Sequence, residues 1–211
     1  MISSCPFGAT TAPARPYSAL VPTVAALLAA GGGTRFQGDR HKLLAVLRGR
    51  PIWQHSLEAV LGAGFDHVVL VTGAAELAVE HLPSQVTVVH NPSWKEGQST
   101  SLQAAVAAAR SVGADTLTVG LADQPFIPTE TWQAVRDADR DSPVVVAVYD
   151  GKLGPNPVRL GRAVWSLLPT AGDVGAREVI RAHPSWVCRV ECLGSGADID
   201  TLEDLERWRS C

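Results

Sequence analysis

The sequence predicts an α/β fold, a doubly wound, mostly parallel Rossmann-like sheet in three α/β/α layers. Short runs apolar on both faces recur along the chain, as strands covered from two sides must be. Stretches of helical period separate them. The chain has 211 residues, 46% of them hydrophobic and 18% charged, enough for one globular domain with a substantial core. Strands alternating with helices at these lengths close into an open sheet through right-handed crossovers.

In chain order, residues 1–22 are rich in Ser, Thr, Ala and Pro and read as a loose extension before a domain over 23–211. They lack the basic start and continuous apolar stretch of a secretory signal. Strands are expected at Val24–Ala29, His67–Thr72, Val86–Val89, Thr116–Leu121, Val144–Tyr149 and Trp186–Val190. Helices are expected at Ile52–Ala63, Ala75–His81, Ser101–Val112, Thr129–Ala138 and Arg177–His183. Over 101–112 the residues are almost all strong helix formers, with Leu102, Val106 and Ala109 on one stripe. Thr201–Arg209 makes a last helix, with Thr201 as N-cap and Asp204 in the capping-box position. Asp150–Asn156 reads as a hairpin-like turn.

The net charge of −3 and the pI near 6 argue against a protein whose main task is gripping nucleic acid. No apolar run approaches the roughly 18–20 residues that span a bilayer. Cysteines at 5, 188, 192 and 211 are too sparse for a disulfide framework and lack the spacing of a zinc site. Reduced thiols and a cytoplasmic location are expected.

Ligands on open sheets bind at the carboxyl ends of the strands, so the loops at 30–42, 90–98, 122–128 and 150–157 carry the interest. The first strand runs into Gly31-Gly32-Gly33-Thr34-Arg35-Phe36-Gln37-Gly38. Such a turn directs backbone amides at phosphate. It is not the dinucleotide fingerprint, since Phe36 stands where a glycine is needed, nor a Walker loop, since Asp39 and Arg40 follow Gly38. Arg35, which can fork onto two phosphate oxygens, and Lys42, a compact point charge, suit a triphosphate. A tight turn with solvated cations is the plain alternative.

The segment Leu27–Ile52 resembles the signature loop of the nucleotidyltransferase superfamily that activates sugars and cofactors with NTPs. It is most similar to the branch of molybdenum cofactor cytidylyltransferases and related molybdopterin nucleotidyltransferases. Further matches follow in order at Asn91–Leu102, Leu121–Pro125, Asn156–Val158, Gly172–Arg177 and Asp198–Leu205. The resemblance spans residues 24–208 and implies a nucleotidyltransferase type of the predicted fold. It implies nucleotide contacts from Leu28, Ala29, Ala30, Gly31, Gly32, Gly33, Arg35 and Lys42, and acceptor contacts from the Asn156 and Gly172–Arg177 motifs, with Asn156, Asp173 and Arg177 as candidates. His41 stands where the family usually has proline, and reads as a surface residue or a contact to phosphate or acceptor.

A carboxylate at the carboxyl edge of a central strand is costly unless paired or metal-bound. Asp123 fits Mg²⁺, which takes one or two carboxylates and completes its shell with phosphates and water; Mn²⁺ can substitute. A helix N-cap before Thr129 is the other reading of Asp123, but it lies too far upstream. Asp198 and Asp200 flank Ile199 and so share one face in an extended segment; the resemblance implies a late metal-binding Asp that Asp200 matches best, with helix capping as its other role. Asp173 is expected to cap the following helix or to contact the acceptor. Gly97, Ser99 and Ser101 can read a base edge or hold a phosphate, while Ser99 or Ser101 caps the alanine-rich helix. Trp94 and the other tryptophans read as packing residues.

The expected reaction is Mg²⁺-dependent transfer of a nucleoside monophosphate to a phosphate acceptor, with Arg35, Lys42 and Asp123 as catalytic residues. The resemblance implies CTP as donor, because Leu-Ala-Ala-Gly looks like the cytidylyl branch, and molybdopterin as acceptor. It implies a molybdoenzyme or insertion chaperone as protein partner. A guanylyl or sugar-phosphate transferase and a non-catalytic cofactor-binding chaperone are the alternatives.

Overall fold

Six consecutive buried residues, Val24–Ala29, form strand β1 at the centre of the sheet. Val24, Ala26 and Leu28 face one core while Ala25, Leu27 and Ala29 face the other, so neither side of the strand meets water. The structure, a computed structural model, describes residues 21–209. The extension expected over 1–22 lies, apart from Val21 and Pro22, outside the described residues.

After β1 come the two-residue strands β2 (Val46–Leu47) and β3 (Arg50–Pro51), which pair as a small hairpin leading into helix α1 (Ile52–Gly62). The succession continues with β4 (His67–Thr72), β5 (Val86–His90), α2 (Gln98–Ser111), β6 (Thr116–Leu121), α3 (Thr129–Asp137), β7 (Val144–Tyr149), β8 (Lys152–Gly161), α4 (Arg177–Ala182), β9 (Val187–Glu191) and α5 (Leu202–Arg209). The main sheet has the order β5-β4-β1-β6-β8-β7-β9, and β8 alone runs antiparallel to its neighbours.

Helices α1 and α3 cover one face through Trp53, Leu57 and Trp132; α2 covers the other through Leu102, Val106 and Ala109, the stripe expected from sequence, joined by Ala105. Trp53, Trp132 and Trp165 are fully buried packing residues. Gly120 in β6 makes room for Trp132, whose ring would lie 2.4 Å from a Cβ at that position. Helix α5 opens as expected: Asp204 Oδ2 accepts from the Thr201 amide (3.0 Å) and hydroxyl (2.8 Å), and the Asp204 amide donates back to Thr201 Oγ1 (3.1 Å). Cys188 and Cys192 are free thiols. Among the described residues no helix is long and apolar enough to cross a membrane.

Two expectations fail. No helix forms over Ala75–His81; Ala75 and Leu77 are buried and Val79 half-buried while Glu76, Ala78 and Glu80 face out, an extended period-two segment. The turn expected over Asp150–Asn156 is confined to its start, and the rest belongs to β8. Lys152 and Leu153 pair with Tyr149 and Val148, pairing resumes at Val158 opposite Val146, and the Gly-Pro-Asn-Pro stretch is accommodated as the irregularity between them.

Candidate active site

The carboxyl ends of β1 and β6 open into a cleft of about 560 Å³ whose walls include Gly31–Arg35, Lys42, Trp94–Lys95, Ser101, Asp123, Asp198 and Asp200. Asp123 follows β6 directly, where the Ala122 amide bonds the Leu28 carbonyl at 3.0 Å. The late acidic segment is fixed against it, because the Ile199 amide donates to the Asp123 carbonyl (2.9 Å) and the Ile199 side chain is fully buried with Phe36, Leu47, Ile52 and Leu205. Ile199 pointing inward turns Asp198 and Asp200 outward into the cleft, as alternation in an extended segment requires.

Lys42 is nine-tenths buried and bridges the two acids, with Nζ 2.5 Å from Asp123 Oδ2 and 2.6 Å from Asp200 Oδ1. Burial alone would lower its pKa, but Asp123 and Asp200 outweigh burial and the net shift is upward. Arg35 lies 2.8 Å from the other oxygen of Asp200 and is 75% exposed, so this pair is weakly held. Asp200 spends its carboxylate on these cations and not on capping α5. Pro128 precedes α3, so Asp123 is not its cap. Asp123 Oδ1 is buried without a hydrogen-bond partner among the described residues. An orphaned carboxylate oxygen costs about 1–3 kcal/mol unless a ligand satisfies it. Two carboxylates with a spare oxygen fit a hard divalent cation that draws its remaining ligands from phosphate and water. Among the described residues no cluster of three or more His, Cys, Asp or Glu side chains could hold a metal ion.

Behind the acids, Gln124 donates to Asp198 Oδ1 (2.6 Å) and accepts from Asn156 Nδ2 (3.0 Å), and the Tyr149 hydroxyl donates to the Asn156 carbonyl (2.8 Å). Burial, then the Asp123 charge, push the Asp198 pKa up to about 6. Asn156 is therefore buried and committed to this relay; it lines an apolar slot beside the cleft with Leu102, Val158 and Ile180 rather than the open cleft wall. Gln124, which has no role expected from sequence, and Asp198, expected there only as the face-mate of Asp200, carry structure around the acid pair; their places in the Leu121–Pro125 and Asp198–Leu205 motifs are the available signal.

The opposite wall differs from expectation at several residues. Helix α2 begins at Gln98, with Gly97 at its N-cap, so neither Ser99 nor Ser101 caps it. Asp173 supplies the missing acceptor, taking the Gln98 amide at 3.0 Å; it does not cap α4, which Ala176 precedes without a side-chain bond. Gly97 has φ +111°, and a Cβ there would lie 2.3 Å from the Gly172 carbonyl carbon, so the two loops meet backbone to backbone. Ser99 is fully buried away from the cleft lining, whereas Ser101 reaches the lining and accepts from Asn91 Nδ2 at 2.9 Å. Asn91, a residue given no role from sequence, also donates to Thr100 (2.8 Å) and accepts from the Ser93 amide (3.0 Å), shaping this wall. Arg177 and Asp173 both line the cleft. Trp94 packs partly on the core and also closes over Gly32, where a Cβ would lie 2.9 Å from its ring. His41 is not a free surface residue. Its ring bonds the Gly31 carbonyl (2.9 Å) and the Leu43 amide (3.2 Å), and burial, then the neighbouring Lys42 charge, lower its pKa against the raising effect of the Gly31 carbonyl.

A mostly parallel sheet with a glycine turn, a lysine and two facing carboxylates at its carboxyl edge has the build of an α/β nucleotidyltransferase. Residues 25–186 match the family described as the MobA-like NTP transferase domain, and the chain belongs to that family. It is 33% identical over 147 residues to the bifunctional protein GlmU of Roseobacter denitrificans, a match covering 67% of this chain and 31% of that protein. The chain thus spans less than a third of the length of that curated relative. The crystal structure of Rv0371c from Mycobacterium tuberculosis superposes with a TM-score of 0.75 at 24% identity, covering 90% of this chain and 99% of the other. A manganese complex of Rv0371C superposes at 0.70 with 25% identity and the same coverage.

Proposed function

We propose that this nucleotidyltransferase moves CMP from CTP to the phosphate of a molybdopterin-type acceptor and releases pyrophosphate, with Mg²⁺ as its metal and Mn²⁺ as a substitute. The observation that carries the reading is the line of charges Arg35–Asp200–Lys42–Asp123 set against the glycine turn in one cleft. An oxygen of the acceptor phosphate attacks the α-phosphorus, the bond to the bridging oxygen breaks, and pyrophosphate leaves. The acceptor arrives ionised, so no side chain must remove a proton. Catalysis is then positioning and charge neutralisation. Gly31–Gly33 and Thr34 line the phosphate path. Arg35, exposed enough to turn, and Lys42 steady the leaving pyrophosphate. Asp123 and Asp200 are the residues that would hold the divalent cation, which supplies positive charge to the reacting phosphates when bound; the manganese complex of Rv0371C supports such a site.

The cytidine preference rests on Leu28-Ala29-Ala30-Gly31. Ala30 lines the cleft where the guanylyl branch more often has glycine. Gly97, Ser101, Asp173 and Arg177 also line the cleft, and in this reading Asp173 and Arg177 are the acceptor contacts. Pyrophosphate release is measured with purified protein, molybdopterin or a sugar 1-phosphate as acceptor, and each of CTP, GTP, UTP and ATP. CTP with molybdopterin is expected to turn over fastest. A GTP preference refutes the cytidylyl assignment, turnover only with sugar phosphates refutes the acceptor, and nucleotide binding without turnover makes the protein a carrier.

A further inference from the structure

A backbone turn can cradle a triphosphate only if its carbonyl oxygens are drawn elsewhere, because a carbonyl facing the phosphates repels them. In this turn three carbonyls are drawn off. The Ala74 amide holds the Ala30 carbonyl (3.1 Å), and the Phe36 amide holds that of Gly33 (3.0 Å). The Gly31 carbonyl is held by a side chain instead, His41 Nε2 at 2.9 Å. Among the described residues the amides of Gly31, Gly32, Gly33 and Thr34 donate to no other protein group, so they remain available to a ligand in the cleft they line.

The other ring nitrogen fixes the imidazole. The Leu43 amide donates to Nδ1 at 3.2 Å, so Nδ1 has no proton and Nε2 carries the one that reaches Gly31. The same ring therefore caps the short turn Lys42–Leu44 that presents Lys42, and braces the glycine turn from beneath. Gly33, at φ +60°, sits so close that a Cβ there would lie 3.0 Å from Nε2. A proline in this place, as in the resembling family, offers neither bond.

We propose that His41 is a positioning residue for nucleotide binding: its imidazole clamps the Gly31 carbonyl away from the triphosphate and locks the glycine turn to the turn that bears Lys42. The inference rests on the nucleotidyltransferase reading above. Its two bonds can be separated by substitution. His41→Gln keeps a side-chain donor at the reach of Nε2 and loses the Leu43 acceptor; His41→Asn keeps an acceptor at the place of Nδ1 and loses the reach to Gly31.

Binding of CTP, GTP and inorganic tripolyphosphate is measured by calorimetry on the full chain, with pyrophosphate release giving KM and kcat and thermal unfolding monitoring the fold. His41→Ala is expected to weaken CTP and tripolyphosphate binding about tenfold, the worth of roughly one hydrogen bond. KM should rise while kcat at saturation changes little. His41→Gln should recover most of the affinity and His41→Asn should not, at equal thermal stability. Wild-type affinity in His41→Ala, or rescue by Asn and not by Gln, overturns the clamp alone. A wild-type chain that binds none of the three ligands overturns the nucleotidyltransferase reading and the clamp with it.

Discussion

Lys42 is the side chain whose removal tests the acid pair most directly. Both carboxylates lie within 2.6 Å of its Nζ and are therefore no more than about 5 Å apart, with the three side chains 11–17% exposed. Lys42→Met keeps much of the stem volume but deletes the charge. At an effective dielectric of about 20, two carboxylates at that distance repel by about 3 kcal/mol. Breaking a buried pair by removing one partner costs about 3–5 kcal/mol. Arg35 still meets Asp200, yet at 75% exposure it compensates little. The variant should lose about 3 kcal/mol in urea unfolding at pH 7 without added metal.

The same logic predicts what a cation does. In the wild type the ammonium competes for the carboxylate oxygens that a metal would take; in Lys42→Met those oxygens are free. Mn²⁺ added without nucleotide should raise the variant's urea midpoint more than the wild type's, by linkage to its tighter binding. Pyrophosphate release should nevertheless fall by about 10²–10³, because the phosphates lose a fixed cation. A variant that unfolds at the wild-type midpoint, or Mn²⁺ that shifts both proteins equally, refutes the bridging role of Lys42.

Asp123→Asn should lower kcat for pyrophosphate release by about 10²–10³ with the fold retained, checked by circular dichroism beside the rate. Asp173→Ala removes the acceptor of the Gln98 amide and should cost about 1 kcal/mol in thermal unfolding, and an unchanged Tm argues against its capping role. Gly97→Ala should destabilise more than Gly113→Ala by at least about 1 kcal/mol: both have positive φ, but only Gly97 faces backbone, while nothing lies within 4 Å of a Cβ on Gly113. Asp198 titrates near 6 when folded, above the ordinary value of about 3.9, so the folded chain takes up a proton as pH falls from about 7 to about 4 and gains stability across that window. Hydrogen bonds depress Asp66 and Asp204, whose contribution is present above about pH 3.9 and lost below it. His41, held below its ordinary value by burial, acts in the opposite direction over the same window, so urea midpoints should change more favourably from pH 7 to pH 5 in the wild type than in Asp198→Asn.

What the sequence carried plainly was written in local period. Val24–Ala29, His67–Thr72, Thr116–Leu121 and Val144–Tyr149 are strands at the residues expected, because a strand covered on both faces must be apolar throughout. Period was also the information misread at Ala75–His81, where Ala75, Leu77 and Val79 alternate with Glu76, Ala78 and Glu80 in steps of two. Strand β8 was hidden for a different reason, since prolines 155 and 157 argue against a strand and only the irregular pairing with β7 lets them in.

The site divides along the same line. Asp123 was readable because its position after an apolar strand is a local fact with an energetic cost. That Asp200 should face it was implied only by resemblance. The physical reason is the Ile199 amide on the Asp123 carbonyl and the Ile199 side chain packed with Phe36, Leu47 and Ile52 from far earlier in the chain, none of which a window around Asp200 contains. The helix that Asp173 caps and the bonds of His41 are hidden from local sequence on the same ground. A cap is sought within a few residues of its helix, and a histidine among polar neighbours reads as solvated. Yet Asp173 caps α2 from a distant loop, and His41 reaches back ten residues to Gly31. Side chains that complete another segment's backbone hydrogen bonds leave no periodic trace. They cluster in this cleft because its walls are loops, whose amides and carbonyls have no ladder of their own to satisfy them.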